Sequence, residues 1–358
     1  MSLTQHLPHP RRLIEFGPHA GAHRVALRAA VAIAIPLLAL TAAGRIDLSL
    51  YAVFGAFTVL YGRSHSYAPR LRMQATAAVA LVGSVVLGTA IGVSPQREWL
   101  VVPMVAVVAA ALAFVADALA WHPPGSLFFV FALAACASVP AEPSRVLTAL
   151  ALAGASAALA MVVSMIGAVA PSARRRSRTT WAVSFREAAG RRGEAVKIAT
   201  VGIAVLVAGG IPTVSGLGHP YWAMVAAVAA LGAADTAGQL VRAGQRVLGT
   251  FVGLALAALL LLVAAGAPLV LVLFVVLLQA GAELFVGRNY GVTMVFITPL
   301  ALIMAQLAHP VDEFGMLRDR GLETVLGAAV GVAISLAVAA LSARRARARA
   351  RADGPSPA

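Results

Sequence analysis

"ELFVGRNYGVTMVFITPL", residues 283–300, joins two long apolar runs. The apolar side chains stop at Val286 and resume past Tyr290, so the chain turns through Gly287, Arg288 and Asn289. A plain turn needs only a glycine and a polar residue. This one adds a charge of each sign, Glu283 and Arg288, and the amide of Asn289. Such groups at a helix junction form either a structural ion pair or part of a site. The runs on either side decide what kind of protein surrounds them.

Those runs recur along the whole chain of 358 residues, which is 60% hydrophobic and 12% charged. An ordinary soluble domain carries roughly 25% charged residues. A helix needs about 20 apolar residues to cross the hydrocarbon core. The fold class is therefore an all-α integral membrane protein. About twelve transmembrane helices are expected, over 22–43, 48–62, 71–93, 99–120, 125–139, 145–170, 195–211, 220–236, 244–265, 267–286, 290–308 and 319–341. The short runs 48–62 and 125–139 fit either full crossings or re-entrant segments.

Polar sequence is confined to three places. These are an N-terminal segment, 1–21, a basic linker, 171–194, and a basic tail, 342–358, expected to be disordered. The first twenty residues lack an apolar core, so no cleavable signal peptide is expected. The single cysteine, Cys136, sits inside an apolar run, which leaves no internal disulfide. No His or Cys pair has metal-ligand spacing, and no metal or other cofactor is expected. An enzyme would need a nucleophile with its base, and the sequence presents none.

The net charge of +14 is not the footprint of a nucleic-acid binder. Basic residues cluster at the ends of apolar runs, without interleaved aromatics, as the positive-inside rule requires. With the N-terminus in the cytoplasm, 23 of the 28 basic residues fall on the cytoplasmic side, and Arg45, Arg97, Arg145, Arg318 and Arg320 fall outside. The expectation is a multi-pass protein of the cell membrane with both termini cytoplasmic. Its 171–194 linker would contact anionic lipid. Oligomerisation is left open.

The two halves resemble each other. "RVALRAAVAIAI" at 24–35 matches "GEAVKIATVGIA" at 193–204, and "SLYAVFGAFTVL" at 49–60 matches "HPYWAMVAAVAA" at 219–230. "RMQATAAVAL" from Arg72 matches "RVLGTFVGLA" from Arg246, and "DALAWHPPGSLFFVF" from Asp117 matches "ELFVGRNYGVTMVFI" from Glu283. Six spans return the chain to its starting side. The halves 22–170 and 195–341 are therefore read as two parallel six-helix repeats, a pseudo-dimer.

The stretch "HPYWAMVAAVAALGAADTAGQLVRAGQRVLGTFVG", 219–253, resembles the signature region of the FUSC family, the fusaric-acid-resistance and aromatic-acid exporter proteins. The match lies in a Tyr-Trp-Ala triplet opening one span and a Gln-Arg-Val-x-Gly-Thr entry to the next. "RNYGVTMVFITPLALIM" and "RDRGLETVLGAAVG" resemble later parts of the same domain. The resemblance implies a transporter domain over 195–341 and more loosely over 22–170, exporting small organic anions such as aromatic carboxylic acids, with or without proton coupling. It also resembles plant malate-channel relatives, in which two six-helix units surround an anion path. A passive anion channel and a non-transport scaffold remain the alternatives. The chain lacks the large cytoplasmic domain that many family members carry between the halves.

An ionisable residue at membrane depth costs about 2.5–3.5 kcal/mol on insertion scales, so each one needs a partner or a watered cavity. Arg72 and Arg246 occupy matching span entries. Each either marks a helix end or binds an anion, with Thr250 one turn beyond Arg246 on the same face. Arg320 has the same spacing to Thr324 and Gly327, and the helix-end reading is the preferred one. Arg288 and Asn289 would point donors into a cytoplasmic vestibule. Tyr221, with Tyr51 and Trp222, belongs to an interfacial belt or stacks on substrate. Glu283 and its repeat partner Asp117 are proton-carrier candidates, Glu283 having an ion pair with Arg288 as its alternative. Asp235, with Arg242 as a partner, is the third.

Overall fold

The computed structural model describes residues 10–19, 21–63, 65–166, 185–191, 193–233 and 235–352. Ala, Val and Leu dominate the apolar runs. Where no water can serve the backbone, a helix satisfies every amide within one segment, so even β-branched runs become helical. The first half holds α1 (Ala22–Ala42), α2 (Ser49–Ala56), α3 (Tyr67–Gly92), α4 (Arg97–Ala118), α5 (Leu127–Ser138) and α6 (Pro143–Met165). A short helix, α7 (Phe185–Gly190), precedes the second half. That half comprises α8 (Glu194–Ser215), α9 (Tyr221–Ala230), α10 (Thr236–Ala264), α11 (Pro268–Phe285), α12 (Tyr290–Ala308) and α13 (Glu313–Ala352). Turns of 3₁₀ helix extend α2 at both ends, over Ile46–Leu48 and Phe57–Leu60.

Among the described residues, nine helices are long and apolar enough to cross a membrane. Three shorter apolar segments, Ile46–Leu60, Leu127–Ser138 and Tyr221–Ala230, stand where three further spans are expected. Large apolar side chains such as Leu27, Val79, Val107, Val162, Val214 and Leu262 are exposed on the outer surface. That much bare apolar surface on separate helices suits lipid, not water.

The connections gather at two opposite faces. At the proximal face, Gly62 N donates to His122 O at 2.8 Å, and Gly17 N to Arg288 O at 2.8 Å. At the distal face, Arg145 Nη1 meets Asp47 Oδ2 at 2.7 Å, and His219 N donates to Glu323 Oε1 at 3.0 Å. The short elements lie inside, where α2 and α9 are buried at every position. The same kinds of neighbour recur in each half. α3 packs on α5 and α6 as α10 packs on α12 and α13, and α2 lies on α6 as α9 lies on α13. Between the halves, α1 packs on α11 and α4 on α8.

Small residues set the closest approaches. A Cβ on Gly253 would stand 2.7 Å from Thr298 Cβ and 3.1 Å from Met294 O; one on Gly249 would stand 2.7 Å from Met294 Cβ. Pro299 stays inside α12 and cannot donate to Val295 O, a carbonyl that faces Gly253.

Two expectations about the polar segments need restating. The 342–358 tail is not disordered throughout, because α13 runs on to Ala352. Its Ala/Arg sequence is made of the two residues with the best helix propensities, so the helix propagates beyond the apolar run. Of the 171–194 linker, residues 171–184 and 192 lie outside the described residues, and with them most of its basic charge.

Candidate functional site

Between the halves lies a cavity of about 240 Å³, nearer the proximal face. Its apolar wall includes Phe57, Phe128, Phe131, Trp222 and Val225. Four guanidiniums, Arg63, Arg242, Arg246 and Arg320, and one carboxylate, Glu283, complete the lining. An apolar wall with this charge excess concentrates field lines and favours anions.

α10 supplies two of the arginines, one turn apart. Arg242 Nε donates to Ala229 O at 2.8 Å, at the end of α9, and its guanidinium lies 4.0 Å above the Tyr290 ring. Arg246 is buried, and its Nη1 donates to Tyr290 Oη at 2.7 Å and approaches Met294 Sδ at 3.7 Å. Its Nε has no partner. Tyr290 thus orients both arginines, with its face toward one and its hydroxyl toward the other. Thr250 is buried one turn on, its hydroxyl unpartnered, but it lies outside the cavity lining.

Arg320 is not a helix-end marker. It is 1% exposed on α13, 4.0 Å over the Trp222 ring, with Nε and Nη1 unpartnered. Glu323 and Thr324 lie on the same face and are fully buried. Glu323 Oε1 caps the start of α9 by accepting from His219 N, while Oε2 has no partner. The signal for this face was present in the sequence: three polar residues at i, i+3 and i+4 inside a span must face protein rather than lipid.

Glu283 faces the cavity, paired not with Arg288 but with Arg63, whose Nη1 lies 3.7 Å from Oε2. Gln279 Nε2 donates to its Oε1 at 3.3 Å. Arg63 stands beside His122 at the proximal mouth, where burial, then Arg63 and His65, hold the His122 imidazole below its ordinary pKa. Arg288 is engaged elsewhere: Nε donates to Gly17 O at 3.3 Å and the guanidinium lies against Phe16 and Phe285. Asn289 Oδ1 caps α12 at Val292 N, 2.9 Å, and Nδ2 binds Leu13 O and Glu15 O at 3.1 and 3.0 Å. Both residues tie down the N-terminal segment and neither lines the cavity.

The other candidates lie apart from the cavity. Asp117 pairs with Lys197 between α4 and α8. Asp235 is the N-cap of α10, accepting from Gly238 N at 2.6 Å, while its expected partner Arg242 turns inward. Arg72 is exposed on the flank of α3. The residue that behaves like Arg242 is Arg70, whose Nε binds Gly62 O at 3.2 Å at the end of the α2 segment. The sequence match at Arg72 and Arg246 is therefore out of step by two residues, enough to turn a side chain to another face.

A second cavity, of about 340 Å³, opens nearer the distal face and is lined by Arg97, Glu98, His219, Tyr221 and His309 among others. Tyr221, Tyr51 and Trp222 are buried at 5%, 8% and 1% exposure, so they form no interfacial belt. Phe57, Phe131, Trp222 and Leu300 line both cavities.

Residues 206–334 match the family model described as fusaric acid resistance protein-like. The uncharacterized membrane protein YvaC of Bacillus subtilis (strain 168) is 30% identical over 132 residues, which is 37% of this chain and 20% of that relative. The aligned stretch thus spans about a fifth of the relative's length. No solved structure matches the chain. The matched residues hold Trp222, Arg242, Arg246, Glu283, Tyr290 and Arg320, and residues 206–334, about a third of the chain, are similar to the fusaric acid resistance protein-like family that the Tyr221–Ala223 and Gln245–Thr250 motifs resemble.

Proposed function

We propose that the chain is a membrane transporter that moves small organic anions, aromatic carboxylates among them, through the central cavity. The observation that carries this reading is the pair of buried guanidiniums, Arg246 and Arg320, with donor nitrogens unpartnered, on a largely apolar wall whose charged groups are four arginines against one acid. Removing a charge from water costs several kcal/mol unless a counter-charge is supplied. A carboxylate entering the cavity supplies one by charge-assisted hydrogen bonds. The rings of Phe57, Phe128 and Phe131 suit a flat apolar body attached to that carboxylate. Glu283, the one acid on the lining, is the residue placed to exchange a proton with the same space.

In this reading the chain makes twelve crossings in two parallel six-helix repeats with both termini cytoplasmic, the proximal face inside. The recurrence of the same helix pairs in each half supports the repeat. Parallel repeats relate by an axis along the membrane normal, and a binding site near that axis is the common arrangement. The test is uptake of labelled benzoate and of labelled aliphatic carboxylates by proteoliposomes, with and without a pH gradient. Saturable benzoate uptake above that of protein-free vesicles is expected. Uptake no greater than in protein-free vesicles for every carboxylate tried would end this reading.

A further inference from the structure

The two cavities approach each other from opposite faces, and the four side chains common to both linings stand between them. Each comes from a different element: Phe57 from the end of the α2 segment, Phe131 from α5, Trp222 from α9 and Leu300 from α12. Two belong to each half, and these elements are the ones that meet across the halves, α2 on α12 and α5 on α9. Phe57, Trp222 and Leu300 are only 4%, 1% and 3% exposed and Phe131 is partly exposed, so little open surface remains at this level. Phe131 and Trp222 meet at 5.6 Å between ring centroids, and Phe54 closes on Phe131 at 5.1 Å. None of the four side chains that share both linings is charged, and the Trp222 indole N–H is their one hydrogen-bonding group, so an ion here would have to shed most of its water without replacement. Apolar constrictions stop ions in this way.

From this arrangement, and resting on the transport reading above, we infer that Trp222, with Phe131, Phe57 and Leu300, is the barrier that separates the two cavities, and that Arg320 is the positioning residue that holds Trp222 across the path. The indole is fixed by its faces alone. Tyr221 lies 4.2 Å away and the Arg320 guanidinium 4.0 Å over the ring, while Nε1 has no partner. Arg320 also lines the proximal cavity. A carboxylate that reaches it competes with the indole for the same cation, so occupancy of the cavity loosens the ring that blocks the exit.

The experiment reads chloride leak with a trapped chloride-sensitive dye, alongside benzoate uptake, in proteoliposomes of the full chain, normalised to inserted protein. Trp222→Ala is expected to raise chloride permeability by about tenfold or more, because one large ring of the constriction is lost. Phe131→Ala removes the opposing ring and leaves Trp222 in place, so it serves if Trp222→Ala does not fold. Arg320→Gln is expected to raise the leak by a smaller factor, about two- to fivefold, since the ring stays but loses its cationic support. Wild-type leak in both well-inserted ring variants would overturn the barrier. An unchanged leak in Arg320→Gln alone would remove Arg320 from it. Benzoate uptake without any variant leak would retire the barrier and keep the transport reading; a variant leak without benzoate uptake by the unaltered chain would do the reverse.

Discussion

α3 and α10 sit among the same kinds of neighbour, yet their buried polar residues end differently. In α3, Gln74 is fully buried, and its amide donates to Val59 O, Tyr61 O and Ser164 Oγ. In α10, Arg246 finds a phenol and a thioether and keeps Nε free. The contrast repeats on the helices behind them. The buried positions of α6 are Ala149, Ala153, Ser156, Ala157, Ala160, Val163 and Ser164, none of them charged, whereas α13 buries Arg320, Glu323 and Thr324. Unpartnered buried atoms occur in both halves, but those of the first half, such as Ser49 Oγ, Thr58 Oγ1 and Tyr61 Oη, are neutral. The second half adds guanidinium nitrogens of Arg246 and Arg320 and carboxylate oxygens of Glu194 and Glu323. A buried polar group left unsatisfied costs roughly 1–3 kcal/mol, and a charged one more. The first half is the more finished scaffold, its unpartnered groups neutral, while the second holds the guanidiniums of Arg246 and Arg320 open toward the cavity.

The largest effect should come from breaking that asymmetry at α10. Arg246→Gln removes the buried cation and leaves Tyr290 Oη without its donor. Benzoate uptake at limiting substrate should fall at least about tenfold, which is about 1.4 kcal/mol of lost interaction. Arg72→Gln, on the exposed flank of α3, should change uptake less than about twofold, as surface substitutions usually do. Equal losses in the two variants would mean that the halves share the work, and the central place of Arg246 would fall.

The membrane class and nine of the twelve expected spans were legible, because burial in lipid writes itself as runs of a fixed length. The cavity was only half legible. Arg246 and Glu283 stand on its wall, but Arg320 had been read first as a helix end, Trp222 as belt or stacking ring and Arg242 as the partner of Asp235, and Arg63 was passed over. Arg63 lies in a turn, where nothing in the sequence says which acid it will meet. Arg288 and Asn289 were assigned to the vestibule because their neighbours in sequence are helix ends. Their partners are carbonyls at positions 13, 15 and 17, more than 270 residues away, and no local pattern encodes such a contact. Arg72 was misassigned because an Arg-x3-Thr match fixes a register only when the flanking buried positions also align.

A second, smaller effect tests whether a glycine of the second half acts through close helix contact. Gly253→Leu would force a side chain between α10 and α12, where even a Cβ stands 2.7 Å from Thr298. Overpacking of this kind costs typically about 1–3 kcal/mol. The thermal midpoint in detergent should drop by several degrees, measured by tryptophan fluorescence. Gly83→Leu on α3 faces open space within 4 Å and should leave the midpoint unchanged. A shift of equal size at both positions would show that the glycines act through helix propensity and not through close contact.

The smallest effects concern the two acids at matching places, Asp117 and Glu283. Asp117 is consumed by Lys197 between α4 and α8, and the lysine side chain is half exposed, so the pair contributes only about 0–1 kcal/mol. Asp117→Asn should therefore lower the thermal midpoint by a degree or two and leave uptake as it was. Glu283 has no such fixed partner at hydrogen-bonding distance, since Arg63 stands 3.7 Å away across the cavity wall. Glu283→Gln keeps the shape and the bond to Gln279 within reach, and removes only the titrating proton. Folding should survive, benzoate exchange at equal pH should stay within about twofold of the unaltered chain, and the acceleration by a pH gradient should disappear. Because the comparison needs both acids, the same gradient must still accelerate uptake by Asp117→Asn. If Asp117→Asn loses the acceleration and Glu283→Gln keeps it, proton exchange belongs to the first half, and the division between a finished scaffold and an open half is wrong.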